Sequence, residues 1–88
     1  PEQFTLYQNF PNPFNPSTLI TYKITEPARV KLTLYDALGK VVRQLVNDDL
    51  DAGYHQFELD ASGLGSGVYF YKLESGSNVD MKSMMLLK

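Results

Sequence analysis

Thr18-Leu19-Ile20-Thr21-Tyr22-Lys23-Ile24 and, four residues on, Arg29-Val30-Lys31-Leu32-Thr33-Leu34-Tyr35 carry the pattern on which the fold turns. In the first, Ile20, Tyr22 and Ile24 share one face, and Leu19, Thr21 and Lys23 share the other. In the second, Val30, Leu32 and Leu34 point one way, and Arg29, Lys31 and Thr33 the other. A period of two belongs to a strand with one buried face. The same alternation recurs in Tyr54 to Leu59, where His55, Phe57 and Leu59 fall together, and in Val68 to Leu73. There Tyr69, Tyr71 and Leu73 oppose Val68 and Phe70. Two largely apolar faces predict a central strand. Lys40 to Val46 and Asp80 to Leu87 are further strand candidates, and Phe4 to Gln8 a weaker one.

Turn chemistry separates these runs. Glu26-Pro27 divides the first two. Asp36-Ala37-Leu38-Gly39 has Asp at the first turn position and Gly at the fourth, which predicts a type I turn closing a hairpin between Tyr35 and Lys40. Asp51-Ala52-Gly53, the Gly-rich Ser62 to Gly67 and Ser75-Gly76-Ser77-Asn78 supply the remaining breaks. Ala37 to Val46 is the best helical stretch, and Gly39 with the β-branched pair Val41-Val42 argues against it. Six or seven short strands with turns between them predict an all-β antiparallel sandwich or barrel.

Composition narrows the function classes. The chain has 88 residues, 8 basic and 10 acidic side chains and no cysteine. That is one small domain, with no disulfide to staple it and no Cys/His zinc site, since His55 is its one histidine. The mild acidity argues against a nucleic-acid partner. The hydrophobic runs Val68 to Tyr71 and Met84 to Leu87 are too short for a membrane span. The sequence opens at Pro1 without a signal peptide and reads as a domain excised from a longer protein.

Residues 9–17, Asn-Phe-Pro-Asn-Pro-Phe-Asn-Pro-Ser, hold three of the five prolines. They cannot form a central strand. They predict a stiff extended arm occupying residues 1–17, ahead of a sandwich over 18–88. Its Asn side chains bond nearby backbone, and Phe10 and Phe14 pack onto the sandwich.

Catalytic, cofactor and metal sites find little support. His55 lies on a strand face with Phe57 and Leu59 and has no placed partner. Gly65-Ser66-Gly67 leads into a strand, where a nucleophile elbow or a phosphate loop needs a helix. Glu58 and Asp60 share an outer strand face, and so small a domain leaves little room for a hydrolase cleft between them. Asn47, Asp49, Asp51 and Glu58 partly match a calcium loop, but Ala52 stands where that loop needs Gly. A solvated acidic hairpin loop is the favoured reading, with a weak calcium site as its alternative. Tyr22, Tyr69 and Tyr71 fit a core with hydroxyls at its margin better than a sugar-stacking platform. Pro13 and Pro16 have SH3-ligand spacing, which a local turn explains. No enzymatic activity and no cofactor are expected.

The closing Lys82-Ser83-Met84-Met85-Leu86-Leu87-Lys88 is either the last sandwich strand or a tag read by a partner at the sheet edge, where strand addition is open to it. Deleting Leu86, Leu87 and Lys88 is expected to leave the domain folded but less stable.

Four segments in order resemble the type A C-terminal sorting domain of the bacterial type IX secretion system. They are Tyr7 to Thr18 with its Pro-Asn-Pro-Phe-Asn-Pro run, Val30 to Leu45, the Gly-x-Tyr region of Leu64 to Leu73, and Lys82 to Lys88. A more distant resemblance, to the immunoglobulin-like domain of flagellar hook-capping proteins, bears on fold alone. The main resemblance implies a seven-stranded immunoglobulin-like sandwich at the end of a longer secreted or cell-surface protein, often a hydrolase or adhesin of the Bacteroidetes. It implies a non-catalytic signal that takes the fused cargo through the periplasm and across the outer membrane. The outer-membrane machinery would recognise it, and a sortase-like cysteine protease would remove it near or before Pro1. The cargo would then be attached to a surface lipopolysaccharide or released. Neither nucleic acid nor membrane insertion is implied. On this resemblance the recognition residues are Asn12, Pro13, Gly67, Tyr69, Lys82, Leu86, Leu87 and Lys88. A carbohydrate-binding or adhesive sandwich appended to a secreted enzyme is the alternative.

Overall fold

A computed structural model describes residues 3–88 and contains two antiparallel sheets packed face to face. Its seven strands are β1 (Thr5–Leu6), β2 (Ser17–Ile24), β3 (Ala28–Asp36), β4 (Val41–Leu50), β5 (Gly53–Asp60), β6 (Gly67–Ser75) and β7 (Asn78–Leu86). One sheet has the order β1-β2-β5 and the other β4-β3-β6-β7. The expected immunoglobulin-like antiparallel sandwich is therefore the fold, and the barrel alternative is not. β2 and β3 lie in different sheets and both turn their apolar faces into one core.

Alternation decides what each strand buries. Ile20, Tyr22 and Ile24 of β2 meet Val30, Leu32 and Leu34 of β3 and Tyr71 and Leu73 of β6, all within 2% of complete burial. Burying such side chains contributes about 1.5–3 kcal/mol each, the main force holding a disulfide-free domain together. β6 is central, between β3 and β7, as its two apolar faces require.

The turns follow their chemistry. In the β3–β4 hairpin the Gly39 N–H donates to the Asp36 carbonyl at 3.0 Å, and Gly39 takes φ 86°. The Asp36 Oδ1 accepts from the N–H groups of Leu38 and Lys40, both at 2.9 Å. This is a type I turn with a glycine bulge. β6 and β7 are joined by Gly76-Ser77, with Gly76 at φ 60°.

Two expectations need correction. The acidic stretch from Asn47 is not a hairpin loop, because β4 runs on to Leu50. Asp49 pairs with Arg29 and Leu50 with Ala28 in the β3 ladder. The Arg29–Asp49 ion pair, 3.5 Å long and more than half exposed at both ends, is worth about 0–1 kcal/mol. The ladder to β3, not the charge, keeps this acidic edge extended. Among the described residues no group of three His, Cys, Asp or Glu side chains is placed to hold a metal.

The second correction is Phe10, which is 79% exposed, whereas Phe14 is 3% exposed. Phe10 pairs through its backbone with Leu19, so its side chain turns away from the core. The inward place goes to its neighbour Asn9, 2% exposed. The Asn9 Nδ2 donates to the Thr18 Oγ1 at 2.9 Å and to the Pro11 carbonyl at 3.2 Å. A buried amide is tolerated there because its polar atoms are bonded.

Gly67 enters β6 at φ 147°, a conformation that side chains with a Cβ rarely adopt. No atom lies within 4 Å of where a Cβ would stand at Gly67 or Gly76, so backbone strain alone sets the cost of substitution. Gly76 is in the left-handed region that Asn visits; Gly67 is not. Gly67→Asn is expected to lose about 1–3 kcal/mol and Gly76→Asn less than half as much, measured by urea denaturation. Equal losses would show that Gly67 has no special backbone role.

Candidate functional site: a clasp between the arm and the terminal strand

The arm spans both sheets. It first runs antiparallel to β2, with the Tyr7 N–H on the Thr21 carbonyl and Phe10 and Leu19 exchanging both backbone bonds. It then crosses to β7, the edge of the other sheet. There the Phe14 N–H donates to the Met85 carbonyl and the Phe14 carbonyl accepts from the Leu87 N–H, each at 3.0 Å. These two bonds make Phe14 a one-residue parallel partner of Leu86. The Asn12 Oδ1 accepts from the Met85 N–H at 2.9 Å, and the Gln8 Nε2 donates to the Ser83 carbonyl at 2.7 Å. Farther along, the Met81 N–H is taken by the Asp80 Oδ1 at 2.8 Å.

An open sheet edge invites pairing with another chain. From Ser83 to Leu87 the outer edge of β7 is instead occupied by the arm. Strand addition over that stretch requires the arm to leave first.

Two side chains anchor the clasp from inside. Tyr71, fully buried, donates its hydroxyl to the Tyr7 carbonyl at 2.9 Å and accepts from the Asn9 N–H at 2.8 Å. Phe14 and Leu86 lie in the core, against the cluster that includes Met84 and Leu59. Beyond the strand, the Lys88 N–H donates to the Ser66 Oγ at 3.0 Å and its Nζ to the Ser62 carbonyl at 2.7 Å. The Gly-rich loop is thereby tied to the tail. The Tyr69 hydroxyl donates to the Gly65 carbonyl at 2.6 Å, so it lies at the margin of the core against the loop backbone. The Asp60 carboxylate accepts from the Ser62 N–H, which holds it below the usual carboxylate range.

The recognition residues expected from the sequence take these places. Asn12, Pro13, Leu86, Leu87 and Lys88 lie in the clasp; Gly67 pairs with Leu86, and Tyr69 with Met84. Lys82 stands apart, half-buried and opposite Tyr71. Gln8, Asn9, Phe14, Tyr71 and Met85 complete the clasp and were not among the expected residues. The proline spacing marks an arm but does not say which edge receives it. His55 stacks on Tyr22 with centroids 5.6 Å apart, and its Nε2 lies 2.8 Å from the Asp51 carbonyl. Tyr22 and Tyr71 are buried, and Tyr69 is tied to the loop. The exposed pair is Tyr7 and Tyr54, tilted by 30° with centroids 6.4 Å apart. The removal site expected near Pro1 lies outside the described residues.

The family model of the secretion system C-terminal sorting domain matches residues 8–87. The chain belongs to that family. Its members are C-terminal sorting signals of type IX secretion, and the family is in general non-catalytic. The domain therefore implies a secreted or cell-surface protein and an interaction with the secretion machinery. No helix among the described residues is long and apolar enough to cross a membrane. A comparison with curated proteins returns no match. The matched span begins at Gln8 and ends at Leu87, two residues that take part in the clasp.

Leu86 is not a fraying end residue, since it is fully buried and held on both sides. Deleting the last three residues, expected to leave the domain folded but less stable, therefore removes core as well as the end of a strand. Leu86→Ala is expected to cost about 2–5 kcal/mol, a large part of the ~5–15 kcal/mol that holds a small domain folded. Denaturant midpoints measure the loss. A second prediction uses pH. Burial pushes the Tyr71 phenol up to about 12, with Asp80 adding to the rise and the Asn9 N–H opposing it. The unfolded chain ionises near pH 10, so this contribution is complete below pH 10 and fades as pH rises toward 12. Urea midpoints between pH 9 and 11.5 should fall more steeply for the wild type than for Tyr71→Phe.

Proposed function

We propose that this domain is the export signal by which the type IX machinery carries an N-terminally fused cargo across the outer membrane. A sortase-like cysteine protease then removes it, and the cargo is attached to surface lipopolysaccharide or released. The observation that carries the reading is the clasp. Three stretches far apart in the chain, the Pro-Asn arm, the Gly-x-Tyr region and the Lys-flanked tail, meet at one end of the sandwich. Asn12, Pro13, Leu87 and Lys88 are exposed there and open to a partner, while Gly67, Tyr69 and Leu86 hold them in place. On this reading Lys82 contributes from farther along β7.

Deleting Leu87 and Lys88 while keeping Leu86 separates signal from fold better than removing all three. That truncation spares the core leucine and removes the Leu87 and Lys88 bonds, each worth about 0.5–1.5 kcal/mol. Circular dichroism should show a folded sandwich. Yield of a fused reporter at the cell surface or in the medium of a host with the type IX machinery should fall at least tenfold. Normal export by the folded truncation would leave the tail as ordinary sandwich structure. Lys82→Ala and Lys88→Ala, made singly and together, distinguish reading of the charges from reading of the apolar stretch.

A further inference from the structure

The outer face of the four-stranded sheet, turned away from the core, holds most of the exposed large hydrophobic side chains. Cross-strand register places Val41 beside Tyr35, Phe70 beside Tyr35, Val68 beside Met85, and Met81 beside Lys72. Alternation along β7 adds Val79, and the β3–β4 turn adds Leu38. Leu38 is 88% exposed, Val41 63%, Val79 59% and Met81 53%. The other sheet's outer face is more polar. Its exposed Tyr54 is followed on the same face by Gln56 and Glu58. A soluble domain rarely keeps a contiguous apolar field without a partner for it.

The field contains a cleft of about 440 Å³, lined by Tyr35, Leu38, Phe70, Met81 and one charged side chain, Lys72. The other cations of this face have acids opposite them: Lys31 faces Glu74, and Arg29 faces Asp49. Lys72 faces Thr33 on one side and Met81 on the other, with its Nζ 5.4 Å above the Tyr35 ring. No carboxylate stands across either ladder from it; the acid that acts on it is Glu74, two residues along its own strand, which also faces Lys31. At its far end the field reaches Met85, whose backbone is bonded to Asn12 and Phe14 of the clasp. It is thus continuous with the surface on which the proposed export signal rests.

We infer that this sheet face is a second docking surface of the domain, and that its occupant is an apolar segment of the secretion machinery bearing a carboxylate that meets Lys72. The inference rests on the sorting function proposed above. A second copy of the chain is the poorer occupant, because its own cleft brings a lysine where the complement is an acid. The field supplies the apolar core of an interface, and the lysine supplies its orientation.

The test is export of a fused reporter by the double variant Leu38→Ser/Met81→Ser. Both side chains are exposed, and surface changes of this kind alter stability by about 0.5 kcal/mol or less. Export should fall at least tenfold with an unchanged denaturation midpoint. Tyr54→Ser, on the opposite face, should export normally. Lys72→Glu should fall with the double variant, and Lys72→Arg should stay within threefold of wild type. Export of the double variant within twofold of wild type overturns the inference. So does a wild-type dimer by sedimentation that the double variant abolishes, which assigns the face to self-association. Binding of the wild type, but not the variant, to phosphatidylethanolamine–phosphatidylglycerol vesicles overturns it in favour of a lipid partner. Failure of the wild-type fusion itself to be exported rejects the sorting function, a result distinct from these.

Discussion

The bonding of Phe14 to β7 is the contact on which the rest of this structure leans. One residue of a proline-interrupted arm gives its N–H to Met85 and takes that of Leu87, while its ring enters the core beside Leu86. Those two bonds join the edge of one sheet to a segment that began on the other. A sandwich of three and four strands has four outer edges, and each exposed edge is a liability. Here the arm guards β7. β4 carries two register irregularities and the acidic Asp48 and Asp49. Its Arg43 also reaches across to the Asp60 carbonyl of the other sheet at 3.2 Å. Edge protection and the placing of Asn12, Leu87 and Lys88 are therefore one structural act.

How much of this was legible in the sequence follows from how local each cause is. Alternation in β2, β3 and β6 showed core and surface because period two is written in neighbouring residues. The Asp36 to Gly39 turn was legible for the same reason. Asn47, Asp48 and Asp49 have poor strand propensity, so the local pattern ends the strand at Val46; pairing with β3 outweighs that preference, and no local signal announces the pairing. The exchange of Phe10 for Asn9 had a different cause. In the arm, hydrophobicity alone points to Phe10 as the inward residue, yet Asn9 satisfies its side-chain amide through Thr18, Pro11 and Gln8 and its backbone N–H through the Tyr71 hydroxyl, and so takes the buried place. The four motif segments could be quoted in order along the chain. That three of them meet at one end of the fold depends on contacts more than sixty residues apart, such as Asn9 with Tyr71.

Long-range pairing also shapes how the domain forms. β3 must find β6 across the whole of β4 and β5, and the arm must find β7 at the far end of the sequence. Closing such loops costs entropy before any contact repays it, so non-local β topologies fold slowly. Without cysteine, nothing covalent holds intermediate pairings, and the chain depends on burial of Tyr22, Tyr71 and their aliphatic neighbours. That dependence gives no role to an oxidising compartment in reaching the native state.

The Tyr71 hydroxyl takes on a further meaning when the domain is considered under load. Tension drawn through the chain ahead of the arm falls first on β1, only two residues long, and then on the backbone at Tyr7 and Asn9 that one phenol holds. Phe14 and the ladders behind it carry force only after those bonds have parted. The Tyr71 hydroxyl, with the Thr21 and Leu19 bonds beside it, thus belongs to the part of the strap that meets load before Phe14 and the core.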